Sequence, residues 1–544
     1  MRKKAVLLLL ALGVMSLMSL PALAADKPVY GGTLVYREAS DPPKIDPAFT
    51  TDTTSDRASN LIFETLVINS PDGKRILPGL AESWTINKDS TVFTFKLRKG
   101  VKFHSVSEGK PTLNKGREVK AEDVKYSFER LVRLKSPRAY FVKQIKGYKE
   151  FTEGKAKEWT GIKVLDPYTV QFTLEYPFAP FLAVLAYHAF SVVPREDAEK
   201  WGKDFSFHPV GTGPFVFKEW KHDQRFVVER NPHYWGKDAQ GNRLPYVDRV
   251  EIKVIPDQSV AWLEFKKGNI DILTAVPDEV YKECVATYGP KKLFVERPWV
   301  GTYYIGMNTS KPPFKDNVKL RQALNWAIDR QAINQMILNG RRKVNKGVLP
   351  PGMPGFNPNL RGYGYDPAKA KKLLEEAGYP NGLDVELQFN AGAGHKAICE
   401  AVQAQLSQIG VNVKLKELDW GVHLDTCDRG ETQMFRMGWV VDYMDPDNFL
   451  FVNLHSSNFG SKGNYSFYKN PKVDQLLSEA RRESNWGKRM KLYQEAEQLI
   501  VNDAPWIFLF AYTTSMVHQP NVKNVVLPAM GDYQIDLSRV WKTK

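Results

Sequence analysis

Val300-Gly301-Thr302-Tyr303-Tyr304-Ile305-Gly306-Met307 and Trp506-Ile507-Phe508-Leu509-Phe510 are two apolar, aromatic-rich runs that read as buried extended chain. Between them, helix and strand signals alternate with clear punctuation. Asp366-Pro367 supplies an N-cap and a proline at the first helical position, Leu373 and Leu374 give the apolar face, and Gly378 ends the helix. Asn470-Pro471 repeats the device ahead of Val473, Leu476 and Leu477. His395 to Ile409 reads as another helix, stopped by Gly410, after which Val411, Val413 and Leu415 alternate as a strand. That succession predicts an α/β unit of its own. A unit inserted into another leaves its entry and exit strands side by side, a natural hinge because few residues must absorb the rotation. Two lobes joined by two crossing strands are the expectation.

Working outward, the region before the first crossing is a mixed α/β unit. Phe93, Phe95 and Leu97 alternate with polar residues, as do Val170, Phe172 and Leu174, which predicts half-buried sheet. Ala121 to Leu134 places Val124, Phe128, Leu131 and Val132 on one helical face that can pack against it. The whole chain has 544 residues, 43% hydrophobic and 25% charged, which excludes disorder and a coiled rod. Single cores stop growing at about 250 to 300 residues, so more than one packed unit is required.

The formal charge of +15 is spread through the chain without a block of like charges. It reads as a solvated basic surface, with no nucleic-acid partner expected. Arg2, Lys3 and Lys4, then an apolar stretch to Leu20 and Ala22-Leu23-Ala24, form a cleavable secretory signal over residues 1–24, with no cysteine at the cut to carry a lipid. A periplasmic protein without a lipid anchor is expected. Cys284, Cys399 and Cys427 fit no zinc spacing. A bridge from Cys399 to Cys427 and three isolated buried thiols both stand as readings. The nucleophile elbow, the H-E-x-x-H helix, the phosphate loop and the dinucleotide fingerprint are all missing, so neither an enzyme nor a cofactor is predicted. Gly211-Thr212-Gly213-Pro214 reads as a turn, since proline removes an N–H that a phosphate would need.

Six strings then carry a resemblance: Tyr30-Gly31-Gly32-Thr33-Leu34, Leu77-Pro78-Gly79-Leu80-Ala81-Glu82-Ser83-Trp84, Phe95 to His104, Gly211 to Phe215, Arg321 to Arg330, and Asp442 to Phe449. Together they resemble family 5 of the bacterial extracellular solute-binding proteins, the peptide- and nickel-binding components of ABC importers. The resemblance implies an α/β flytrap of two lobes with an extra domain in the larger one. Its boundaries are 25–64, 208–301 and 506–544 for the first lobe, 65–207 for the extra domain, and 302–505 for the second lobe. It also implies capture of a peptide, by the oligopeptide branch, by a monomer that delivers it to an inner-membrane ABC permease.

Phe435-Arg436-Met437-Gly438-Trp439-Val440-Val441-Asp442-Tyr443 combines a cation, an aromatic and an acid in an apolar stretch, where a buried charge is costly unless paired. By resemblance, Asp442 holds a peptide's ammonium, Arg436 and His395 its carboxylate, and Trp420 and Trp439 line side-chain pockets. Other readings stay open from the residues alone. Asp442 caps a turn or pairs with Arg436, and the tryptophans simply pack. The cargo is an oligosaccharide or a nickel chelate, or the protein is a periplasmic hydrolase or a chaperone-like protein.

Overall fold

The computed structural model describes residues 27–392 and 394–543; the signal reading of residues 1–24 lies outside the described residues. One sheet of eleven strands runs through the molecule. From one edge the strands are Phe215–Lys221, Arg225–Arg230, Arg249–Val254, Thr33–Glu38 and Ile272–Thr274, then the crossings Trp506–His518 and Phe294–Met307, then Met434–Val440, Leu383–Asn390 and Val411–Leu418. Lys343–Val344 pairs beside Trp506–His518.

The crossings are longer than the two runs that announced them, and they are antiparallel neighbours. The lobes are therefore halves of one hydrogen-bonded sheet as well as units joined by two connections. Its ladder slips between Pro298 and Thr302, where proline has no N–H to donate. On one side of that slip the crossings pair at Phe294–Pro298 with Thr513–Val517, and on the other at Thr302–Gly306 with Trp506–Ala511. Bending is cheapest where the ladder is already interrupted.

Each half has its own core. Leu34, Tyr36, Phe215, Val228, Val250, Ile252 and Met516 fill one, and Tyr303, Ile305, Leu387, Val411, Met434, Ile507 and Leu509 fill the other. A smaller antiparallel sheet of Ala81–Ile86, Val92–Leu97, Thr169–Thr173 and Ile162–Asp166 packs Phe93, Phe95, Val170 and Phe172 under the helix Ala121–Arg133. This extra unit also closes on the second half: the Phe141 ring meets Tyr443 edge-on at 5.6 Å, and Tyr140 donates to the Lys462 carbonyl at 2.9 Å. Cys284, Cys399 and Cys427 are all buried and free, so the Cys399–Cys427 bridge does not form. No helix among the described residues is long and apolar enough to cross a membrane.

The punctuation acts as the residues dictate. Asp366 Oδ1 accepts from the Lys369 N–H at 2.9 Å, and Pro367 opens the helix Pro367–Glu376. Asp366→Ala is expected to cost about 1 kcal/mol, measured as a lower urea midpoint with unchanged slope.

Candidate ligand-binding cleft

Asp442, Asp445 and Asp447 are three buried carboxylates within the turn Asp442-Tyr443-Met444-Asp445-Pro446-Asp447. Two of them are neutralised. Asp445 takes both ends of the Arg489 guanidinium at 2.7 Å, and Asp447 lies 2.9 Å from Arg481 Nε while accepting from the Tyr443 hydroxyl at 2.8 Å. Asp442 is the exception. Its Oδ2 accepts from Asn448 Nδ2 at 2.9 Å and its own N–H donates to Asn448 Oδ1 at 3.0 Å, with no ion pair among the described residues. Burial pushes its pKa up to about 6, against the pull of Arg138 and the Asn448 hydrogen bond. The reading of Asp442 as a partner of Arg436 falls, since Arg436 binds Tyr512 and Asn390 instead.

Around this acid the first half supplies Asp52 and Asp56 from the helix Thr53–Ser59 and its cap, and His188, whose Nε2 lies 2.7 Å from Asp56 Oδ1. Arg138, almost wholly buried, donates to the Thr51 carbonyl at 3.0 Å and the Ser461 carbonyl at 3.3 Å, so it spans the two halves. Tyr533 donates to the Val441 carbonyl at 2.8 Å. The cleft is closed in this structure.

The strand Met434–Val440 leads into Asp442. It pairs with Phe294–Met307 along its length, but with Leu383–Asn390 only at Met434 and Phe435. The Val441 N–H donates to Val300 and the Gln433 carbonyl accepts from Asn308, so odd-numbered residues turn their peptide groups toward the crossing strand. The even-numbered ones turn the other way. The Arg436 carbonyl there accepts from His423 Nε2 at 2.8 Å, whereas the N–H and carbonyl of Gly438 and of Val440 find no partner among the described residues. Four unpaired peptide groups thus lie between Arg436 and Asp442. Gly438 is glycine for a local reason: a Cβ there would collide with the Tyr512 hydroxyl that crosses over it.

At the other end, Arg436 is buried with no acid. Its Nη2 donates to the Tyr512 hydroxyl at 2.6 Å, its Nη1 to Asn390 Oδ1 at 3.2 Å, and its guanidinium lies 4.4 Å from the Tyr303 ring centroid. Nε is left without a partner. His395 opens the helix His395–Ser407 and is buried against the Tyr303 hydroxyl at 3.3 Å. Burial, then Arg436 and Arg342, push its pKa well below the usual range, so it is a neutral donor or acceptor rather than a second cation.

Trp439 donates to Asn448 Oδ1 at 3.2 Å, so it braces the residue that holds Asp442. Half-buried Trp420 reaches across the halves to Asp52 Oδ1 at 3.2 Å. The structure gathers all five singled-out residues around one strand edge, with Asp442 at one end and Arg436 and His395 at the other. Sequence reasoning missed Asn448, Arg138, Arg342 and Tyr512. Asn448 sits inside the Asp442 to Phe449 string, and the Arg341-Arg342 doublet was a visible signal of local charge.

A family model described as bacterial extracellular solute-binding proteins, family 5 Middle, matches residues 75–461. The chain belongs to that family. Among curated relatives, the dipeptide-binding protein of Escherichia coli is 32% identical over 95% of this chain and 96% of its own length, and heme-binding protein A of Haemophilus influenzae is 35% identical over 92% and 90%. Among solved family structures, the ABC transporter-associated periplasmic binding protein DppA from Helicobacter pylori in complex with the peptide STSA superposes with a TM-score of 0.83 at 32% identity, covering 95% of this chain and 99% of that one. The Escherichia coli murein tripeptide binding protein superposes with a TM-score of 0.84 at 28% identity, covering 95% and 99%. The α/β fold of these peptide-binding proteins is therefore the fold of this chain.

Besides neutralising Asp445, Arg489 donates Nε to the Ala480 carbonyl at 3.1 Å and Nη2 to the Tyr493 hydroxyl at 3.2 Å, which ties it into the helices on that side. Arg489→Met, which strands that carboxylate, is expected to cost about 3–5 kcal/mol, read as a lower midpoint in chemical denaturation.

Proposed function

We propose that this protein captures short peptides with free termini and hands them to an inner-membrane ABC permease after export to the periplasm, as a monomer. The observation that carries the reading is Asp442, a buried carboxylate without an ion pair, at the end of a strand edge with unpaired peptide groups. A peptide's α-ammonium supplies the absent cation. Its backbone pairs with Gly438 and Val440 by strand addition, which gives affinity independent of side chains. Arg436 takes the terminal carboxylate with charge-assisted hydrogen bonds, beside the neutral His395. Trp420 and Trp439 bound the space for side chains. No bond is made or broken. Closure follows because a ligand touching both halves binds the closed form better than the open one. The peptide complexes and peptide-named relatives within the family support this cargo over a sugar or a nickel chelate.

Titration calorimetry with trialanine and N-acetyl-trialanine tests the reading. Acetylation and Asp442→Asn are each expected to weaken binding roughly 30-fold or more, since removing one partner of a buried charge pair costs about 2–5 kcal/mol. Equal affinity for the free and acetylated peptides would sink the ammonium assignment.

The pH dependence has a definite sign. With its pKa raised to about 6, Asp442 prefers its proton in the empty closed form, so this group's contribution to that form fades as pH rises through 6. A cationic ligand needs the carboxylate. Trialanine affinity is therefore expected to be flat above pH 7 and to fall about tenfold between pH 7 and 5. Asp442→Asn should flatten that limb, which leaves any remainder to neighbouring Asp56, whose carboxyl pKa is also pushed up by burial.

A further inference from the structure

Arg341 and Arg342 are chain neighbours with opposite fates. Arg341 lies 2.5 Å from Asp278 and 2.7 Å from Glu296, a complete ion-pair set. The Arg342 side chain makes no hydrogen bond and no ion pair among the described residues, and its Nη1 is buried without a partner. Its guanidinium lies 5.3 Å from the Tyr512 ring centroid and 5.6 Å from that of Tyr303. Those are the two tyrosines that hold Arg436. One end of the cleft therefore carries two guanidiniums around one pair of rings, with no carboxylate against either. Asp278, the acid felt most by Arg342, is already engaged by Arg341.

From this arrangement we infer that the anionic end of the ligand carries two negative charges, and that Arg342 is the residue that selects for the second. The inference rests on the peptide reading above and narrows it: the favoured peptides end in aspartate or glutamate, or in another two-carboxylate group. Arginine does not shed its proton in a protein, so both guanidiniums stay charged whatever surrounds them. A single terminal carboxylate satisfies Arg436 and leaves Arg342 as it is in the empty cleft. A second carboxylate, one side chain away on the same residue, reaches the other guanidinium. The opposite end has the opposite sign, with Asp442 and Asp52 both buried without an ion pair among the described residues. His395 adds no charge to the count because it is neutral. Tyr303 and Tyr512 also fit this role, since their ring faces hold both cations in place while no anion is bound.

The test is a ratio, insensitive to small losses of folded protein. Titration calorimetry of the full chain compares Ala-Ala-Glu with Ala-Ala-Gln, which match in length and shape but differ by one charge. The wild type is expected to favour the glutamate peptide at least about tenfold, the scale of one charge-assisted hydrogen-bonded contact. Arg342→Gln should bring the ratio near one, and Arg342→Lys should keep it above one. Equal affinities in the wild type, as when one carboxylate bridges both arginines, overturn the inference and leave the peptide reading intact. So does a preference that survives Arg342→Gln. If neither tripeptide binds, the peptide reading fails, and thermal shifts with glutarate against butyrate decide the charge question separately. Stabilisation by the dianion alone, lost in Arg342→Gln, upholds the two-charge site, and equal responses refute it.

Discussion

A charge taken out of water needs an opposite charge beside it, and this requirement shapes the middle of the molecule. Arg341, Arg481, Arg489 and His188 each have a carboxylate within ion-pair distance. Asp442, Arg436 and Arg138, all buried, do not, and neither does half-buried Arg342. The paired set fixes the walls of the cleft, and the unpaired set makes the closed form incomplete by itself. A ligand with the complementary charges is then part of the electrostatic structure, which ties occupancy to closure more tightly than surface contacts alone would.

The continuous sheet determines how that closure is made. A hinge of two isolated strands turns about its linkers, whereas here the crossings remain bonded to each other on both sides of the slip at Pro298 to Thr302. Rotation has to concentrate in that short interruption. Arg138 and Tyr140, reaching the carbonyls of residues 461 and 462 from the extra unit, then latch the halves from the far side.

The parts of the fold written in local grammar were legible in the sequence. The caps at Asp366 and Asn470 and the alternation at Phe93, Phe95 and Leu97 depend on neighbours a few positions away, so periodicity and turn chemistry reach them. The crossings were visible as apolar runs but came out longer, because Phe294 to Trp299 and Thr513 to His518 are half-polar segments held extended by pairing across the sheet. For the cleft, burial of the 435–443 stretch could be read, and family likeness pointed to its charged residues. Which acid stays unpaired could not. Asp445 and Asp447 differ from Asp442 only in having Arg489 and Arg481 folded against them, and Arg342 differs from Arg341 in the same way. Such differences are set by packing between elements far apart in the chain.

The unpaired edge at Gly438 and Val440 has a cost beyond recognition. Exposed strand edges attract strands from other molecules, and natural sheets usually blunt them with charge, proline or a covering loop. Under the proposed strand addition, none of those can cover this edge permanently. Its shelter has to be temporary instead, provided by the shut cleft and by the guest lying along it. The loaded molecule is accordingly the one guarded against self-association through this edge, while the gaping, empty one carries the hazard.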